Sequence, residues 1–396
     1  MTVPEVSAGA AREALRGSPG ARGTDHDDDA VRDRYARGLW SALTEPGDGV
    51  AGALRDRWGA VGALAIALSP DGGEERAAEA GIAPDALQKA RDRWRPRAGD
   101  LGEAFDAARR AGAALLTPAD PQWPAGLDDL GPHAPVGLWT LGAPDRPLTQ
   151  GSAVALVGAR AATAYGEHVA MELAAELAAT GTTVVSGAAY GVDGCAHRAA
   201  LRVEGMTLAL LAGGVDRPYP AGHSEMLDRI ARTGVVASEV PCGSTPTKWR
   251  FLARNRLIAA AADATVVVEA GWRSGSLNTA HHAAALGRPL GAVPGPITSA
   301  ASAGCHRLLR EADALCITNA DDVRELLGLP VAAATDGGGR TDERTRVLDA
   351  LSVRAPRAGE EVARRAGLSA GDAAALLGLL ELEGRAARGI DGWRRC

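Results

Sequence analysis

Residues 152–193 read SAVALVGARAATAYGEHVAMELAAELAATGTTVVSGAAYGVD, a stretch in which two strand-like runs enclose one helical segment. The first run, Ala153–Val157, is continuously apolar, which is typical of a strand buried on both faces. The helical periodicity that follows predicts a helix over Gly166–Thr180, and Thr182–Ser186 predicts the second strand. This order predicts a βαβ unit with parallel strands and a right-handed crossover.

The alternation of strands and helices continues to about residue 317. The further strands are expected at Met206–Ala212, Val235–Ser238, Thr265–Glu269, Leu290–Val293 and Ala314–Ile317. The further helices are expected at Gly194–Val203, Gly222–Arg232, Arg254–Ala262, Leu277–Leu286 and Cys305–Glu311, with a loop before Arg254. Repeated βα units of this kind predict the α/β class and a doubly wound, mostly parallel sheet.

Composition divides residues 1–330 into three segments. Residues 1–30 are polar, glycine-rich and acidic, so we expect a disordered tail. Residues 31–100 show helical periodicity broken by glycine and proline, which predicts a small helical domain. Residues 101–330 are expected to form the α/β core, beginning with a helix at Ala104–Ala111 and a short strand at Ala114–Leu116.

The C-terminal part of the chain has a pattern of its own. Residues 331–342, VAAATDGGGRTD, have the composition of a flexible linker. Residues 343–396 carry ten bases and eight acids, and they end in a predicted hairpin with Asp391-Gly392 at its turn. Helices are expected before it at Thr345–Leu351, Glu360–Ala366 and Ala370–Glu383. The order predicts a winged-helix-like domain, for which binding of duplex DNA and contact with a protein both stay open.

Composition and charge exclude several classes of protein. The chain has 396 residues, of which 46% are hydrophobic and 23% charged, the balance of a globular protein. It has no apolar run of about 18 residues, so we expect no membrane span. Without an N-terminal apolar segment we expect no secretory signal and a cytoplasmic location. The net charge of −6 excludes a protein that coats DNA through overall positive charge, although a local basic groove is compatible with it. Five cysteines without C-x-x-C spacing disfavour a zinc site and a disulfide framework.

Five of the predicted strands are followed by loops that contain glycine. In an open α/β sheet, ligands bind beyond the carboxyl ends of the strands, so we expect these loops at one edge. They are Gly158-Ala159-Arg160, Ser186–Asp193, Gly213–Asp216, Gly271–Ser276 and Pro294-Gly295-Pro296. Glycine lets backbone N–H groups approach a ligand, helix N-termini carry partial positive charge, and Arg273, Ser274 and Ser276 add donors. We therefore predict an anion site with phosphate as its ligand; a purely structural rim is the alternative.

Two nucleotide-binding fingerprints are absent. The chain has no G-x-x-x-x-G-K-[ST], and VGARAATAYG does not fit G-x-G-x-x-G, which excludes a P-loop ATPase and disfavours an NAD enzyme. His281-His282 lies in a helix pattern without cysteines at ligand spacing, and Asp193 fits a helix N-cap better than a general base. We therefore expect neither catalysis nor a cofactor.

The segment Lys248–Arg256, KWRFLARNR, is a local concentration of positive charge. Four bases and no acids lie between Val240 and Ala262, and Trp249 and Phe251 lie among the bases. Arginines beside a phosphate site extend it along a polyanion, and aromatic rings stack on unpaired bases with about 1–3 kcal/mol per base. We predict binding of single-stranded nucleic acid here; the alternative is a solvated basic loop whose aromatic side chains pack into the core.

At these residues the sequence resembles the DNA-processing protein A family, also called DprA or Smf. The matching segments are VALVGARAATAYG, SGAAYGVDGCAHRAAL, LAGGVDRPYP, SEVPCGSTP, RNRLIAA, VVEAGWRSGSLNTAHHAAALGRPLGAVPG and SAGCHRLLREADAL. The resemblance covers residues 104–326 strongly. The helical N-terminal part, as a SAM-like domain, and the winged C-terminal part match the family more loosely.

The resemblance implies a non-enzymatic cytoplasmic protein that binds single-stranded DNA. Members protect incoming DNA in natural transformation and help to load the RecA recombinase onto it. They commonly form homodimers through an extended Rossmann-like core.

The DNA- and phosphate-binding residues are carried over by their positions in the motifs. They are Gly158, Arg160, Ser186, Gly187, Gly213, Gly214, Lys248, Arg254, Asn255, Arg256, Ser274, Gly275 and Ser276. Ala159 stands where the family usually has serine, so one hydroxyl donor is lost. Arg250 and Leu252 stand where histidine and proline usually flank the phenylalanine, here Phe251, so the local backbone is expected to differ.

An enzyme is the other reading of the same loops. The region from Glu269 to Ser276 is loosely similar to Rossmann-like nucleotide phosphoribohydrolases, which also hold phosphate on glycine loops. Their PGG-x-GT-x-x-E pattern corresponds here to EAGWRSGSLNTA, with no glutamate three residues after Thr279. This departure disfavours the enzyme.

Overall fold

A nine-stranded sheet lies at the centre of the chain up to Pro330 in the computed structural model, which describes residues 6–19, 27–69, 72–99, 101–143, 145–331 and 343–396. The strands are β1 (Ala114–Leu116), β2 (Leu138–Gly142), β3 (Ala153–Gly158), β4 (Thr183–Ser186), β5 (Thr207–Leu211), β6 (Val235–Ser238), β7 (Ala264–Glu269), β8 (Leu290–Ala292) and β9 (Leu315–Cys316). Their order is β1-β2-β6-β5-β4-β3-β7-β8-β9. The two pairs that involve β2 are antiparallel and all others parallel, which confirms the predicted α/β class and doubly wound, mostly parallel sheet.

The strand order reverses at β3. From β3 the chain builds outward in one direction through β4, β5 and β6, and then returns to place β7 on the other side of β3. Loops that leave β3 and β7 therefore diverge to opposite faces of the sheet. Such a reversal opens a crevice beyond the carboxyl ends of the strands.

Thirteen helices accompany the described part of this sheet. They are α1 (Ala8–Leu15), α2 (Asp28–Leu43), α3 (Gly49–Leu68), α4 (Glu74–Glu79), α5 (Pro84–Trp94), α6 (Glu103–Ala111), α7 (Ala164–Ala179), α8 (Val192–Arg202), α9 (Ser224–Thr233), α10 (Lys248–Ala260), α11 (Ser276–Ala285), α12 (Ala303–Glu311) and α13 (Ala320–Leu326). Helix α3 is interrupted at Gly59, which has a φ of 68°. Helix α13 is an addition to the prediction, and it begins with a capping box between Asn319 and Asp322.

The expectation of a loop before Arg254 is wrong, because α10 begins six residues earlier, at Lys248. Thr247 caps this helix, since its side-chain oxygen accepts the backbone N–H of Arg250 at 3.2 Å. Lysine, arginine and leucine are good helix formers, so the basic segment extends the helix once its first turn is capped.

Strand β2 was not predicted. It pairs with β1 and β6, and its Trp139 is buried with a ring centroid 5.7 Å from that of Phe105. The indole N–H of Trp139 donates to the Ser41 hydroxyl at 3.1 Å. This ring joins the sheet to helices that come much earlier in the chain.

The N-terminal helices and one face of the sheet share a single core. It runs from Leu39 and Trp40 on α2 to Trp139, Leu211 and Val236 on the sheet. The predicted boundary at residue 100 therefore does not separate two cores, since all described residues up to Pro330 belong to one unit.

Part of the expected N-terminal tail is ordered. Ser7 caps α1, and Ala11 and Leu15 are buried in the same core as α2 and α6. The prediction of disorder is wrong for Ala8–Leu15, because two apolar residues one helical turn apart suffice to dock a short helix. Residues 1–5 and 20–26 of the expected tail lie outside the described residues.

The second unit, which follows Pro330, has its own core. It contains α14 (Glu343–Ala350), α15 (Gly359–Ala366), α16 (Ala370–Leu382), β10 (Ala386–Gly389) and β11 (Gly392–Arg395). Val347, Val362, Leu377 and Leu380 are buried between the helices, which confirms the winged-helix prediction. The turn differs from the expected one, because Gly389 pairs with Gly392 and the loop is Ile390-Asp391. Residues 332–342 of the expected linker lie outside the described residues.

Among the described helices, none is long and apolar enough to cross a membrane.

Candidate functional site

A cleft of about 570 Å³ opens where the strand order reverses, beyond the ends of β3 and β7. The loop after β3, the loop after β7 and one side of α10 form its walls. Seven of the predicted site residues line it, namely Gly158, Arg160, Arg254, Asn255, Ser274, Gly275 and Ser276. The glycine loops after β3 and β7 therefore line the same cleft from its two sides, as predicted.

The loop after β7 presents hydroxyl and amide groups to the cleft. The hydroxyl oxygens of Ser274 and Ser276 lie 2.8 Å apart, and the backbone N–H of Ser276 donates to the Ser274 hydroxyl at 3.4 Å. Ser276 begins α11, whose N-terminus carries partial positive charge. A side-chain atom added at Gly275 would meet nothing within 4 Å, so the backbone here is open to a ligand. This wall favours an anion.

Two exposed arginines stand on opposite sides of the cleft. Arg160 follows β3, and its guanidinium lies 4.5 Å from the centroid of the Phe251 ring. Phe251 in turn lies against Tyr219, with ring centroids 5.5 Å apart. Arg273 follows β7 and is also exposed. Both guanidinium groups are free to approach a ligand without first losing a buried partner.

Arg254 lines the cleft but is committed to the protein. It is buried, and it donates to the carbonyl oxygens of Gly187 (2.8 Å) and Leu210. Burial lowers the pKa of Arg254 to about 10, while the nearby Asp193 carboxylate opposes that shift. The side chain therefore anchors the loop after β4 and adds positive charge to the cleft floor.

Asp193 forms the other half of this floor. Its carboxylate accepts the backbone N–H groups of Gly187 (3.2 Å) and Ala189 (3.4 Å). Burial raises the pKa of Asp193, and Arg254 and the two backbone donors oppose that rise. The predicted N-cap role is wrong, because the cap of α8 is Gly191 and Asp193 lies in the first turn.

Asn255 connects α10 to the loop after β7. Its side-chain amide donates to the carbonyl oxygen of Gly275 and to the side-chain oxygen of Asn278, both at 3.3 Å. It thereby holds the loop that carries Ser274 and Ser276 in place. We assign it as a positioning residue of the cleft.

Six predicted residues do not line the cleft. They are Ser186, Gly187, Gly213, Gly214, Lys248 and Arg256. The Ser186 hydroxyl is buried and donates to the carbonyl oxygen of Leu156 at 2.7 Å. Gly187 packs against the Arg254 guanidinium, which a side chain at that position would meet at 2.4 Å. The loop after β4 still reaches the cleft through Ala189 and Asp193, so the expectation that all five glycine loops converge is wrong for Gly213–Asp216 and Pro294-Gly295-Pro296.

The loop after β5 is covered by a neighbouring loop. Gly214 donates its N–H to the Ser244 carbonyl oxygen at 2.9 Å, and a side chain at Gly213 would meet Pro246 at 2.9 Å. Lys248 is exposed in the first turn of α10.

Arg256 is directed away from the cleft. It is buried in an ion pair with Glu239, with nitrogen–oxygen distances of 2.6 and 2.7 Å. Because successive residues of a helix are about 100° apart, Arg254 and Arg256 point to different sides of α10. Because a loop was predicted just before Arg254, the sequence analysis did not distinguish the directions of Arg254 and Arg256.

Several residues near the cleft were not predicted from the sequence as functional residues. Glu269, at the end of β7, accepts the N–H (2.8 Å) and the hydroxyl (2.6 Å) of Thr163, which caps α7. From the sequence, Glu269 was predicted to end a strand and to begin the region similar to phosphoribohydrolases, but no bond to Thr163 was predicted. Trp272 is 59% exposed and lies between Gly271 and Arg273, which both line the cleft. The sequence signal that could have identified Trp272 is its position between a glycine and an arginine in the loop after a predicted strand.

A doubly wound, mostly parallel sheet with a cleft at its reversal point, followed by a winged-helix unit, defines the class of Rossmann-like α/β proteins with an accessory domain. Residues 114–328 match the family model for DNA recombination-mediator protein A. Residues 330–392 match the model for the DprA winged helix domain.

Known proteins agree with these family models. A putative DNA processing protein DprA from Mycobacterium tuberculosis is 49% identical over 302 residues, which cover 72% of this chain and 77% of that protein. The DNA processing protein DprA from Bacillus subtilis is 36% identical over 180 residues, 46% of this chain and 60% of that protein. The X-ray structure of DNA processing protein A from Streptococcus pneumoniae superposes with a TM-score of 0.60 and 29% identity, covering 76% of this chain and 99% of that one. The chain belongs to the DNA processing protein A (DprA/Smf) family, as its motifs predicted.

Proposed function

We propose that this protein binds single-stranded DNA in the cleft at the ends of β3 and β7. The observation that carries the proposal is the pair of exposed arginines, Arg160 and Arg273, on either side of the open loop Ser274–Ser276. The backbone phosphate of the strand lies against the two hydroxyls and the N-terminus of α11, and the arginines neutralise it. Arg254, Asp193 and Asn255 hold the walls in place.

The binding is independent of sequence and sensitive to salt. Phosphate contacts release counterions, and the affinity for a single strand changes with the logarithm of salt concentration with a slope of about −0.7 per neutralised phosphate. Exposed aromatic rings tolerate any base, since every base presents a π-face. A cleft of this kind fits a protein that covers a strand regardless of its sequence.

The affinity of a labelled dT oligomer across a salt series tests this proposal, with the matching duplex measured in parallel. The double variant Arg160→Gln/Arg273→Gln is expected to bind the dT oligomer at least about tenfold more weakly, with a shallower salt slope. Arg202→Gln/Arg229→Gln is the matched control, because both arginines are exposed on α8 and α9 and neither lines the cleft. Equal affinity and equal slope in the cleft variant and the unmodified protein would overturn the proposal.

We further infer that the bound strand is handed to a RecA recombinase in the cytoplasm, and that the protein acts as a homodimer without catalysing a reaction. Membership of a recombination-mediator family supports this inference. The unmodified protein is expected to speed RecA assembly on a strand coated with single-strand-binding protein, and the Arg160→Gln/Arg273→Gln variant to lose that effect. Sedimentation tests the dimer. Equal acceleration by the cleft variant, or none by the unmodified protein, contradicts a mediator role that uses the cleft.

A further inference from the structure

The third helix of the winged-helix unit is unsuited to DNA. In helix-turn-helix proteins this position is occupied by the helix that enters the major groove. Among the described side chains of α16, none of those exposed is basic: they are Ala370, Gly371, Asp372, Ala374, Ala375, Leu379 and Glu381. Two carboxylates and no base repel the phosphates that flank a groove.

The positive charge of this unit is concentrated instead in the hairpin that we call the wing, residues 385–395. Its exposed arginines are Arg385, Arg388, Arg394 and Arg395, against one acid, Asp391. Arg395 lies 3.7 Å from Asp349 of α14. The guanidinium of Arg388 lies 5.7 Å from the ring centroid of Trp393.

The register of the wing places arginines on both of its faces. Arg388 is opposite Trp393, and Ala387 is opposite Arg394. Directly opposed residues of an antiparallel pair share a face, and neighbouring residues alternate between faces. Arg388 and Arg394 therefore lie on opposite faces of a narrow ribbon. A ribbon of that kind reaches the phosphates on both walls of a groove.

The two-residue tip of the wing carries one apolar side chain, Ile390, beside the exposed Asp391, and the base of the wing is supported by a third segment. Ile390 is fully exposed at the apex of the two-residue loop. The base of the wing is fixed by a third segment, since the backbone N–H groups of Arg357 and Trp393 each donate to the other residue's carbonyl oxygen, at 2.9 and 2.8 Å. Proteins that bind the minor groove insert apolar side chains of this kind between base steps, with arginines beside them.

We propose that the wing is a second nucleic-acid site, which binds duplex DNA through its minor groove. Arg388 and Arg394 contact the two phosphate walls, and Ile390 meets the base edges. Helix α16 stays out of the major groove. The site is formed within the second unit alone, so it does not depend on the cleft that we propose for single strands.

The affinities of the full-length protein for a blunt duplex and for a dT oligomer test the wing. Arg388→Gln/Arg394→Gln is expected to weaken duplex binding by more than about tenfold and to leave dT binding unchanged. Ile390→Asn is expected to weaken duplex binding by several-fold while the salt slope is kept. A drug that occupies the minor groove is expected to compete with the unmodified protein.

Arg364→Gln is the matched control, because Arg364 is exposed on α15 of the same unit. Thermal unfolding of each variant confirms that the unit is folded. Duplex binding that persists in Arg388→Gln/Arg394→Gln, that falls equally in Arg364→Gln, or that is absent from the unmodified protein would overturn the wing site. If both the cleft and the wing proposals hold, Arg160→Gln/Arg273→Gln loses dT binding and keeps duplex binding. The dT oligomer therefore tests the cleft and the duplex tests the wing, so that a failure of one proposal is distinguished from a failure of the other.

Discussion

The arginines in and around the cleft have three different roles, although the sequence motifs suggested only one. Arg254 holds backbone carbonyl groups beside Asp193, Arg256 pairs with Glu239, and Arg160 and Arg273 remain exposed at the cleft. The first two are buried because helix α10 directs them into the protein on different sides. Turning either guanidinium to a phosphate would break its buried bonds to Gly187 or Glu239, even though Nε and Nη1 of Arg256 have no hydrogen-bond partner. The exposed pair is therefore the better candidate for binding DNA.

The buried pair Arg256–Glu239 supports the fold, and this role leads to a stability prediction. Arg256→Met leaves the Glu239 carboxylate buried without its partner and is expected to cost about 3–5 kcal/mol of unfolding free energy. The double variant Arg256→Met/Glu239→Leu is expected to recover most of that loss, because it removes both charges. Urea denaturation measures both values.

The same variants test the role that the motif assigned to Arg256. The double variant is expected to bind a dT oligomer like the unmodified protein, with an unchanged salt slope. A stable double variant that no longer binds the oligomer would show that Arg256 contacts DNA after all.

At the scale of elements, α10 and the loop after β7 form two sides of one cleft, and each carries an exposed tryptophan. Trp272 lies between two residues that line the cleft, whereas Trp249 lines a separate pocket with Glu45 and Arg97. Trp249 in the first turn of α10 is 63% exposed, and Trp272 is 59% exposed with the Arg307 guanidinium 5.1 Å from its ring centroid. The alternative that the aromatic residues of the basic segment pack into the core does not hold for Trp249. Phe251, by contrast, packs against Arg160 and Tyr219.

An exposed tryptophan beside the cleft is expected to stack on a base of the bound strand. Trp272→Ala is expected to lower dT affinity by about 1–3 kcal/mol and to leave the salt slope unchanged, because stacking releases no counterions. Fluorescence anisotropy at several salt concentrations measures both quantities. Trp58→Ala is the control, since Trp58 lies between Arg57 and Arg76 in the N-terminal helices and does not line the cleft. A steeper or shallower slope in Trp272→Ala would point to an indirect effect on the arginines.

At the scale of the whole molecule, the described residues form two compact units rather than three. The N-terminal helices have no separate interior, because Trp40 and Leu39 belong to the core that also contains Trp139 and Val236 of the sheet. The winged-helix unit has its own core around Leu377 and Leu380. Units with separate cores unfold separately, whereas elements that share a core unfold together.

Two cavity-creating substitutions, one in each unit, distinguish elements that unfold together from units that unfold separately. Leu39→Ala and Leu377→Ala each remove a fully buried side chain and are expected to cost about 2–5 kcal/mol in the unit where they lie. Hydrogen exchange is expected to show that Leu39→Ala weakens protection of β2 and β6 along with α2, and leaves α14–α16 unchanged. Leu377→Ala is expected to do the reverse. If Leu39→Ala loses protection only in the N-terminal helices, the prediction of an independent helical domain at residues 31–100 would be supported instead.

The sequence by itself determined the parallel sheet, its reversal, the glycine loops after β3 and β7 and the winged-helix unit. These follow from local signals: continuous apolar runs, helical periodicity, and glycine at the ends of strands. Strand β2 and helix α1 escaped because their stability comes from residues distant in the chain, such as Phe105 and Ser41 for Trp139. The local sequence pattern does not indicate which distant residues will pack against a segment.

Only the tertiary structure decided which of the motif residues face the cleft. Ser186, Gly213, Gly214 and Arg256 occur in the motifs as prominently as Ser274 and Arg160, yet their donors or backbones are taken up by protein groups. The physical reason is that a buried polar group must find a partner, and which partner is available depends on how helices and loops pack around it. The motifs therefore predict which edge of the sheet binds a ligand, and the packing of helices and loops determines which motif residues remain free to contact it.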